Sequence, residues 1–171
     1  YSLIAEKCNI PIMLYNVPGR TGTNMLPSTV AELSKIENIV AIKEASGNVN
    51  QISDIISMCD ITVLSGDDSL TLPILSIGGK GVVSVVANII PKKVKDMVWA
   101  ALNGDFNRAR ELHYEILPLA KAMFIETNPM CVKRALELMG MYNGELRLPL
   151  TKMKEDTTER LKGVMKKAGI I

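Results

Sequence analysis

The sequence contains few of the side chains that carry the commonest kinds of enzyme chemistry. It has a single histidine, His113, and three cysteines that are widely spaced and form no Cys-x-x-Cys pair. A multi-histidine metal site is therefore excluded within this chain, and a Ser-His-Asp triad is barely possible. The cysteines argue against a disulfide framework or a zinc ribbon, which favours a reducing, cytoplasmic environment. Proton chemistry is expected from tyrosine, lysine or carboxylate groups.

The chain also lacks an excess of charge and a long hydrophobic segment. Its 20 basic and 18 acidic residues leave a net charge of +2 without a basic run, so binding to nucleic acid or to an anionic membrane is not predicted. The longest apolar stretch, residues 81–91, is far shorter than the roughly 20 residues that cross a bilayer. We therefore expect small-molecule partners and neither nucleic acid nor membrane.

A strand-then-helix unit repeats along the first part of the chain. Four short apolar runs rich in branched residues are typical of strands covered on both faces; they are residues 12–15, 39–43, 61–65 and 81–85. Helical patterns separate them, the clearest over residues 49–59 behind a possible Asn48 cap and over residues 28–36. Strands that alternate with helices predict an α/β fold with a parallel sheet. Four such units fit half of an open doubly wound sheet or half of a closed barrel, and the spacing of the strands alone does not distinguish these two folds.

Only helical patterns follow the fourth run. Pro91 begins one that Gly104 ends, and three more follow at residues 106–124, 129–139 and 155–168, with a bend expected at Pro118. The first of these helices can complete the fourth unit, so we predict one domain over residues 1–104 and a helical domain over 105–171. Residues 1–8 are typical of the C-terminal end of a helix, and we expect this chain to be part of a longer polypeptide.

Polar residues gather where the predicted strands end. They are residues 15–16, 43–44, 65–68 and Ser84. Because barrel enzymes place their chemistry at the carboxyl ends of the strands, this distribution favours a barrel-like active face, although loops make strand ends polar in any α/β fold.

Lys43 is the most informative of these residues, because it ends a strongly apolar run. Burial there would disfavour the ammonium, lower the pKa and leave more of the neutral amine that attacks a carbonyl to form an imine. The ordinary alternative is a strand-end lysine paired with a carboxylate at the surface. Tyr15 ends the preceding strand in the same way and is a candidate proton donor and acceptor, or else a rim tyrosine with its hydroxyl in water.

Arg20 lies in the glycine-flanked turn of residues 17–22, where a guanidinium is suited to bidentate binding of a substrate carboxylate. The alternative is an ordinary loop arginine.

The glycine-rich residues 78–81 do not form a phosphate loop, because Lys80 is followed by Gly81 rather than by Ser or Thr. A nucleotide site is therefore rejected.

Several segments resemble one known family. LYNVPGRTG at 14–22, AIKEASG at 41–47, LSGDD at 64–68 and GGKGVVSVVAN at 78–88 closely resemble the dihydrodipicolinate synthase family of pyruvate-dependent Schiff-base lyases, and the likeness continues through NPMCVKRAL at 128–136 and LRLPLT at 146–151. The resemblance implies the second half of a (β/α)8 TIM barrel, strands five to eight, over residues 1–104, and a C-terminal helical domain over residues 105–171.

The resemblance also implies an activity: condensation of pyruvate with L-aspartate 4-semialdehyde to 4-hydroxy-tetrahydrodipicolinate, in the diaminopimelate route of lysine biosynthesis. Lys43 would form the imine with pyruvate, Tyr15 would relay protons, and Arg20 would hold the carboxylate of the semialdehyde. The arginine favours a synthase, because N-acetylneuraminate lyase-like members usually lack it at this place.

Three further residues receive roles in the same way. The backbone of Val83 would contact pyruvate, and Gly66 with Asp67 would line the side of the second substrate. The family's chemistry needs no cofactor and no metal, and its members are usually homotetramers built as dimers of dimers.

The resemblance leaves other readings open. A related pyruvate-dependent aldolase would keep Lys43 and Tyr15 but accept another aldehyde, and a non-catalytic fragment would form no imine. The family's pyruvate-carboxylate threonines, and a tyrosine that reaches across a dimer interface, belong to the first half of the barrel. We therefore expect the 171-residue chain to be inactive by itself.

Overall fold

The structure, a computed structural model, describes residues 1–171 and divides them into two compact units, Tyr1–Val83 and Ser84–Ile171. None of its helices is both long enough and apolar enough to span a bilayer.

The first unit is a four-stranded sheet with helices. Its elements in chain order are α1 (Ser2–Lys7), β1 (Ile12–Asn16), α2 (Pro18–Thr21), α3 (Pro27–Leu33), β2 (Ile39–Glu44), α4 (Val49–Met58), β3 (Thr62–Ser65), α5 (Thr71–Ser76) and β4 (Gly81–Val82). The strands lie in the order β1-β2-β3-β4, and each neighbouring pair is parallel. The predicted α/β fold with a parallel sheet is confirmed.

Local signals explain where the helices of this unit begin. The Asn48 side chain accepts a hydrogen bond from the Gln51 amide at 3.2 Å, which makes it the predicted cap of α4. Pro27 occupies the first turn of α3, where its missing N–H leaves no bond unmade. Ile52 and Ile55 on α4 are then buried against the sheet's core.

The two faces of the sheet differ in burial. Leu14, Ile42 and Val63, one from each of β1, β2 and β3, are buried with residues of α3 and α4. The side chains that alternate with them are more open: Met13 is 45% exposed and Tyr15 is 44% exposed. The second face is thus buried only in part within this chain, for example at Ala41, whereas the apolar runs predict burial on both faces.

The fourth strand is shorter than predicted. The sequence indicates a strand over residues 81–85, whereas β4 ends at Val82. Ser84 explains the early end, because its hydroxyl accepts a hydrogen bond from the Ala87 amide at 2.8 Å. That bond begins a 3-10 turn over Val86–Asn88, which an extended backbone could not make.

The second unit is helical. After the 3-10 turn it contains α6 (Pro91–Leu102), α7 (Phe106–Ala122), α8 (Met130–Leu138) and α9 (Glu155–Lys167). Helix α7 packs against α6 and α9, and α8 also contacts α9. Asp105 caps α7 by accepting a hydrogen bond from the Arg108 amide at 3.0 Å, and Pro118 lies inside that helix. The four helices agree with the predicted ranges to within two residues at each end. The domain division at residue 104, by which α6 completes the fourth strand-helix unit, stays a prediction.

Candidate active site

Lys43 and Tyr15 meet at the carboxyl ends of two neighbouring strands. The register pairs them directly, Tyr15 on β1 opposite Lys43 on β2. The Lys43 Nζ atom lies 4.1 Å from the centroid of the Tyr15 ring, within the range of a cation–π contact. Lys43 is half-buried. The structure thus brings together the two residues to which the sequence assigns the imine and the proton relay.

Gly66 lies against the side chain of Lys43. A Cβ atom at this position would fall 2.7 Å from the Ala45 Cβ and 3.1 Å from the Lys43 Cε. The Gly66 amide also donates to the Glu44 carbonyl at 2.7 Å. Glycine is required here because a Cβ atom would overlap the Ala45 Cβ and crowd the Glu44 carbonyl, neither of which can move aside. The backbone at Gly66 therefore packs closely against one side of Lys43.

Asp67 stabilises the turn that follows β3. Its Oδ1 atom accepts hydrogen bonds from the Ser69 amide at 2.8 Å and from the Ser69 hydroxyl at 2.7 Å, which caps the 3-10 turn Asp68–Leu70. The Ser65 hydroxyl donates to the Asp67 carbonyl at 2.7 Å. These bonds fix the turn beside Gly66, while a contact of Asp67 with a substrate stays a prediction.

Val83 follows directly after β4. Its amide donates to the Ser65 carbonyl at 2.8 Å, which continues the pairing of β3 and β4 by one bond. Because the Val83 amide is already engaged, a backbone hydrogen bond from Val83 to a ligand would use its carbonyl oxygen.

Arg20 lies in the short helix α2, on the loop that follows β1, and it is exposed. The turn is anchored at both ends: the Arg20 amide donates to the Val17 carbonyl at 2.9 Å, and Gly22 ends α2 with a φ of 71°. A cleft of about 380 Å³ beside this turn is lined by Tyr15 and by Thr21, among others. Arg20 itself does not line this cleft, although Val17 and Thr21 of the same turn do.

A buried polar cluster next to these residues was not predicted. Asn16, Glu44 and Gln51 are buried and bonded to one another, and Asn24 joins them from the loop after α2. The sequence does contain a signal, since Asn16 and Glu44 directly follow Tyr15 and Lys43. Strand alternation sends them to the helix-covered face of the sheet, where only buried hydrogen bonds make them tolerable.

The histidine and the buried cysteine belong to the second unit. Burial lowers the pKa of His113, so the neutral imidazole is favoured. Burial likewise raises the pKa of the Cys131 thiol and disfavours the nucleophilic thiolate. In residues 1–171 no three His, Cys, Asp or Glu side chains are grouped so as to hold a metal ion.

A parallel sheet with an amine and a phenol paired at its carboxyl edge defines the class: an α/β protein whose candidate site is built on strand ends. The profile of the dihydrodipicolinate synthetase family matches residues 1–168. The chain belongs to this family.

Curated relatives and solved structures agree with the family assignment. The 4-hydroxy-tetrahydrodipicolinate synthase of Methanocaldococcus jannaschii is 55% identical over 172 residues, which cover 100% of this chain and 60% of the relative. The crystal structure of dihydrodipicolinate synthase from Thermotoga maritima superposes with a TM-score of 0.97 at 43% identity, covering 100% of this chain and 60% of the other.

A third relative was solved with a ligand. The chloride-inhibited dihydrodipicolinate synthase from Acinetobacter baumannii, complexed with pyruvate, has a TM-score of 0.97 and 40% identity, and the match covers 100% of this chain and 60% of the other. The chain thus spans about 60% of the length of the relatives that it matches.

Proposed function

We propose that the protein containing this chain is a 4-hydroxy-tetrahydrodipicolinate synthase, which condenses pyruvate with L-aspartate 4-semialdehyde through a Schiff base on Lys43. The product would enter the diaminopimelate route of lysine biosynthesis. One observation carries the proposal: the Lys43 amine lies 4.1 Å from the Tyr15 ring centroid, at the strand ends where the sequence places an imine-forming lysine and its proton relay. The relative from Methanocaldococcus jannaschii is named for the same product, and the relative from Acinetobacter baumannii was solved with pyruvate, which supports pyruvate as one substrate.

The chain would supply strands five to eight of a (β/α)8 barrel as residues 1–104, followed by a C-terminal helical domain as residues 105–171. Four parallel strands in sequential order and a match to about 60% of each relative support this arrangement. The half-exposed face with Met13 and Tyr15 would then line the interior of the closed barrel. The complete protein would be cytoplasmic, assemble as a dimer of dimers and use no cofactor.

The reaction begins with the neutral amine of Lys43. Its nitrogen attacks the keto carbon of pyruvate, and the resulting carbinolamine loses water to give a cationic imine. The positive nitrogen withdraws electrons from the adjacent methyl group, which releases a proton and becomes an enamine. The enamine carbon then forms the new bond to the aldehyde carbon of the second substrate, whose oxygen takes up a proton. The amino group of that substrate attacks the regenerated imine carbon, which closes the ring and releases the Lys43 amine. The Tyr15 ring lies against Lys43, and its hydroxyl would carry protons for the dehydration and for the later ring closure.

The other site residues bind rather than react. Arg20, on its exposed turn, would pair with the carboxylate of the semialdehyde. The Val83 carbonyl would contact bound pyruvate, and Gly66 with Asp67 would line the approach of the second substrate. Gly66 contributes by its small size, because a side chain there would overlap the Ala45 Cβ and crowd the Lys43 side chain.

Borohydride reduction tests the proposal. The full-length polypeptide that contains this chain is incubated with pyruvate, treated with borohydride, digested and analysed by mass spectrometry. We expect a reduced pyruvate adduct on Lys43, formed only when pyruvate is present. A reaction without pyruvate is the control for chemical labelling. An adduct on another lysine, or none at all, contradicts the assignment.

Replacing Arg20 with alanine is expected to impair use of the second substrate. Loss of a charge-assisted bidentate pair costs about 2 kcal/mol, which corresponds to a roughly 30-fold higher KM for the semialdehyde. Imine formation with pyruvate should be unchanged, because Arg20 is not part of the lysine–tyrosine pair. Steady-state kinetics with each substrate varied in turn check this, with Arg160→Ala in the exposed part of α9 as the matched control. A defect confined to pyruvate would contradict the role.

A further inference from the structure

A buried carboxylate at the end of β2 has no cationic partner. Glu44 is 1% exposed, yet none of the ion pairs in the structure includes it. Its Oε1 atom accepts from the Ser46 amide at 2.6 Å, and its Oε2 atom accepts from the Asn16 side-chain amide at 3.0 Å and from the Gln51 side-chain amide at 3.3 Å. Burying a carboxylate among neutral donors is costly, and an apolar residue would fill the same space.

The hydrogen bonds extend from Glu44 to two further segments. Asn24 accepts from the Asn16 side-chain amide at 2.9 Å and donates to Gln51 Oε1 at 2.8 Å. Asn16 Oδ1 accepts from the Met25 backbone amide at 2.9 Å. Asn16, Asn24, Glu44 and Gln51, here named the Glu44 cluster, therefore join the ends of β1 and β2 to the loop after α2 and to the first turns of α4.

The Glu44 cluster lies directly behind the candidate site. Tyr15–Lys43 and Asn16–Glu44 are consecutive pairs in the register of β1 and β2. Because side chains alternate along a strand, the first pair lies on the open face and the second on the covered face. Asn24, in turn, sits on the loop that also carries Arg20. The segments that hold Tyr15, Lys43 and Arg20 are thus tied to the same carboxylate.

We propose that Glu44 is a positioning residue, whose carboxylate fixes the ends of β1 and β2 so that the Tyr15 ring stays against the Lys43 amine. This inference rests on the proposed function, since it concerns the same lysine and tyrosine. Glu44 touches neither substrate nor the reacting atoms and acts through the two strand ends.

The cluster needs a carboxylate rather than an amide. The donors that face Glu44 are a backbone N–H, which cannot turn round, and two amide groups whose oxygens are already engaged by Met25 and Asn24. A glutamine at position 44 would turn an NH2 group toward at least one of these donors. Two facing donors repel and leave buried groups without acceptors, so the strand ends must shift to relieve the mismatch.

The test variant is Glu44→Gln in the full-length polypeptide. A misplacement of about 1 Å between reacting groups costs about 100-fold in rate, and we expect a loss of that order in imine formation, measured in single turnovers with pyruvate quenched by borohydride. We expect the maximal rate constant to decrease. The pyruvate concentration that gives half of the maximal rate should stay the same, because the substrate-binding groups are unchanged.

Two variants separate positioning from simple loss of stability. Glu44→Gln combined with Gln51→Glu returns one carboxylate to the cluster and is expected to recover most of the rate. Ile55→Val removes one methylene from the buried face of α4 and lowers stability by about 1 kcal/mol, yet the rate per folded molecule should stay at the wild-type value. Glu44→Gln with a wild-type rate, or with no more than the effect of Ile55→Val, overturns the inference, as does a failure of the double variant to recover.

A second measurement keeps this inference separate from the proposed function. If the wild-type protein forms no adduct with pyruvate, the proposed function fails, and the positioning claim is then decided by NMR of the unliganded protein. A cross-peak between the Lys43 ε-methylene and the Tyr15 ring, assigned through Tyr15→Phe, is expected in the wild type and should be lost in Glu44→Gln. Its persistence in the variant contradicts the positioning role.

Discussion

Replacing Lys43 with alanine is expected to remove both turnover and the borohydride-trapped adduct. The proposed covalent route depends on one amine, and the side chain that the structure places against the Tyr15 ring is that of Lys43. Loss of a covalent nucleophile can lower kcat by at least about 10⁴-fold. Assay of the full-length variant with both substrates, together with mass spectrometry after borohydride, measures the two effects.

Two matched variants show whether the effect belongs to the amine. Lys43→Arg keeps a cation that can lie over the Tyr15 ring, but a guanidinium does not form the imine, so this variant should fold normally and remain inactive. Lys80→Ala removes an exposed lysine just before β4 and should leave turnover unchanged. If Lys43→Ala kept a tenth of the wild-type rate, the Schiff-base mechanism at this residue would be wrong.

The position of Lys43 on a strand end was predictable, whereas its contact with Tyr15 was not. Short apolar runs ending in Tyr15 and Lys43 indicate two strands, and parallel strands place their carboxyl ends at one edge. The register is a tertiary property, and an irregularity between Ile12 and Met13 shifts it by one residue. The sequence pattern within each run does not show which residues of the two strands are paired. It therefore does not predict that Tyr15 contacts Lys43.

The elements that the sequence analysis missed have short or ambiguous local signals. Helix α5 spans only the six residues Thr71–Ser76, contains Pro73 and has no side-chain cap, so fewer than two helical turns mark it in the sequence. β4 was predicted too long because residues 81–85 are strongly β-branched, and one hydrogen bond to the Ser84 hydroxyl outweighs that propensity.

Glu44 illustrates a different limit of sequence reasoning. A charged residue at a strand end is usually solvated. Strand alternation indicates the helix-covered face for Glu44, but it does not identify the donors that make a carboxylate with 1% exposure tolerable there. Its burial depends on donors from three other segments, of which Gln51 is seven residues away and Asn16 is 28 residues away. Only the folded chain brings these donors together.

The 171-residue chain by itself is expected to show at least about 10³-fold less condensation activity than the full-length protein, because removing a part of a catalytic constellation costs about that much or more. Its sheet has β1 and β4 as outer strands, and exposed strand edges promote association with other chains. The half-exposed Met13 and the similarly exposed Val40 add apolar surface that favours aggregation. Size-exclusion chromatography and a coupled activity assay of the purified chain measure both effects.

Co-expression with the missing part separates incomplete assembly from an absence of catalytic function. The N-terminal portion of the Methanocaldococcus jannaschii relative, whose matched region is 55% identical to this chain, is expected to restore a soluble complex, turnover and the pyruvate adduct on Lys43. The same complex made with the Lys43→Ala chain should assemble and stay inactive, which assigns the recovered activity to this chain's amine. A soluble complex that forms no adduct would favour a non-catalytic fragment, and full activity of the 171-residue chain alone would show that the site needs no first half of the barrel.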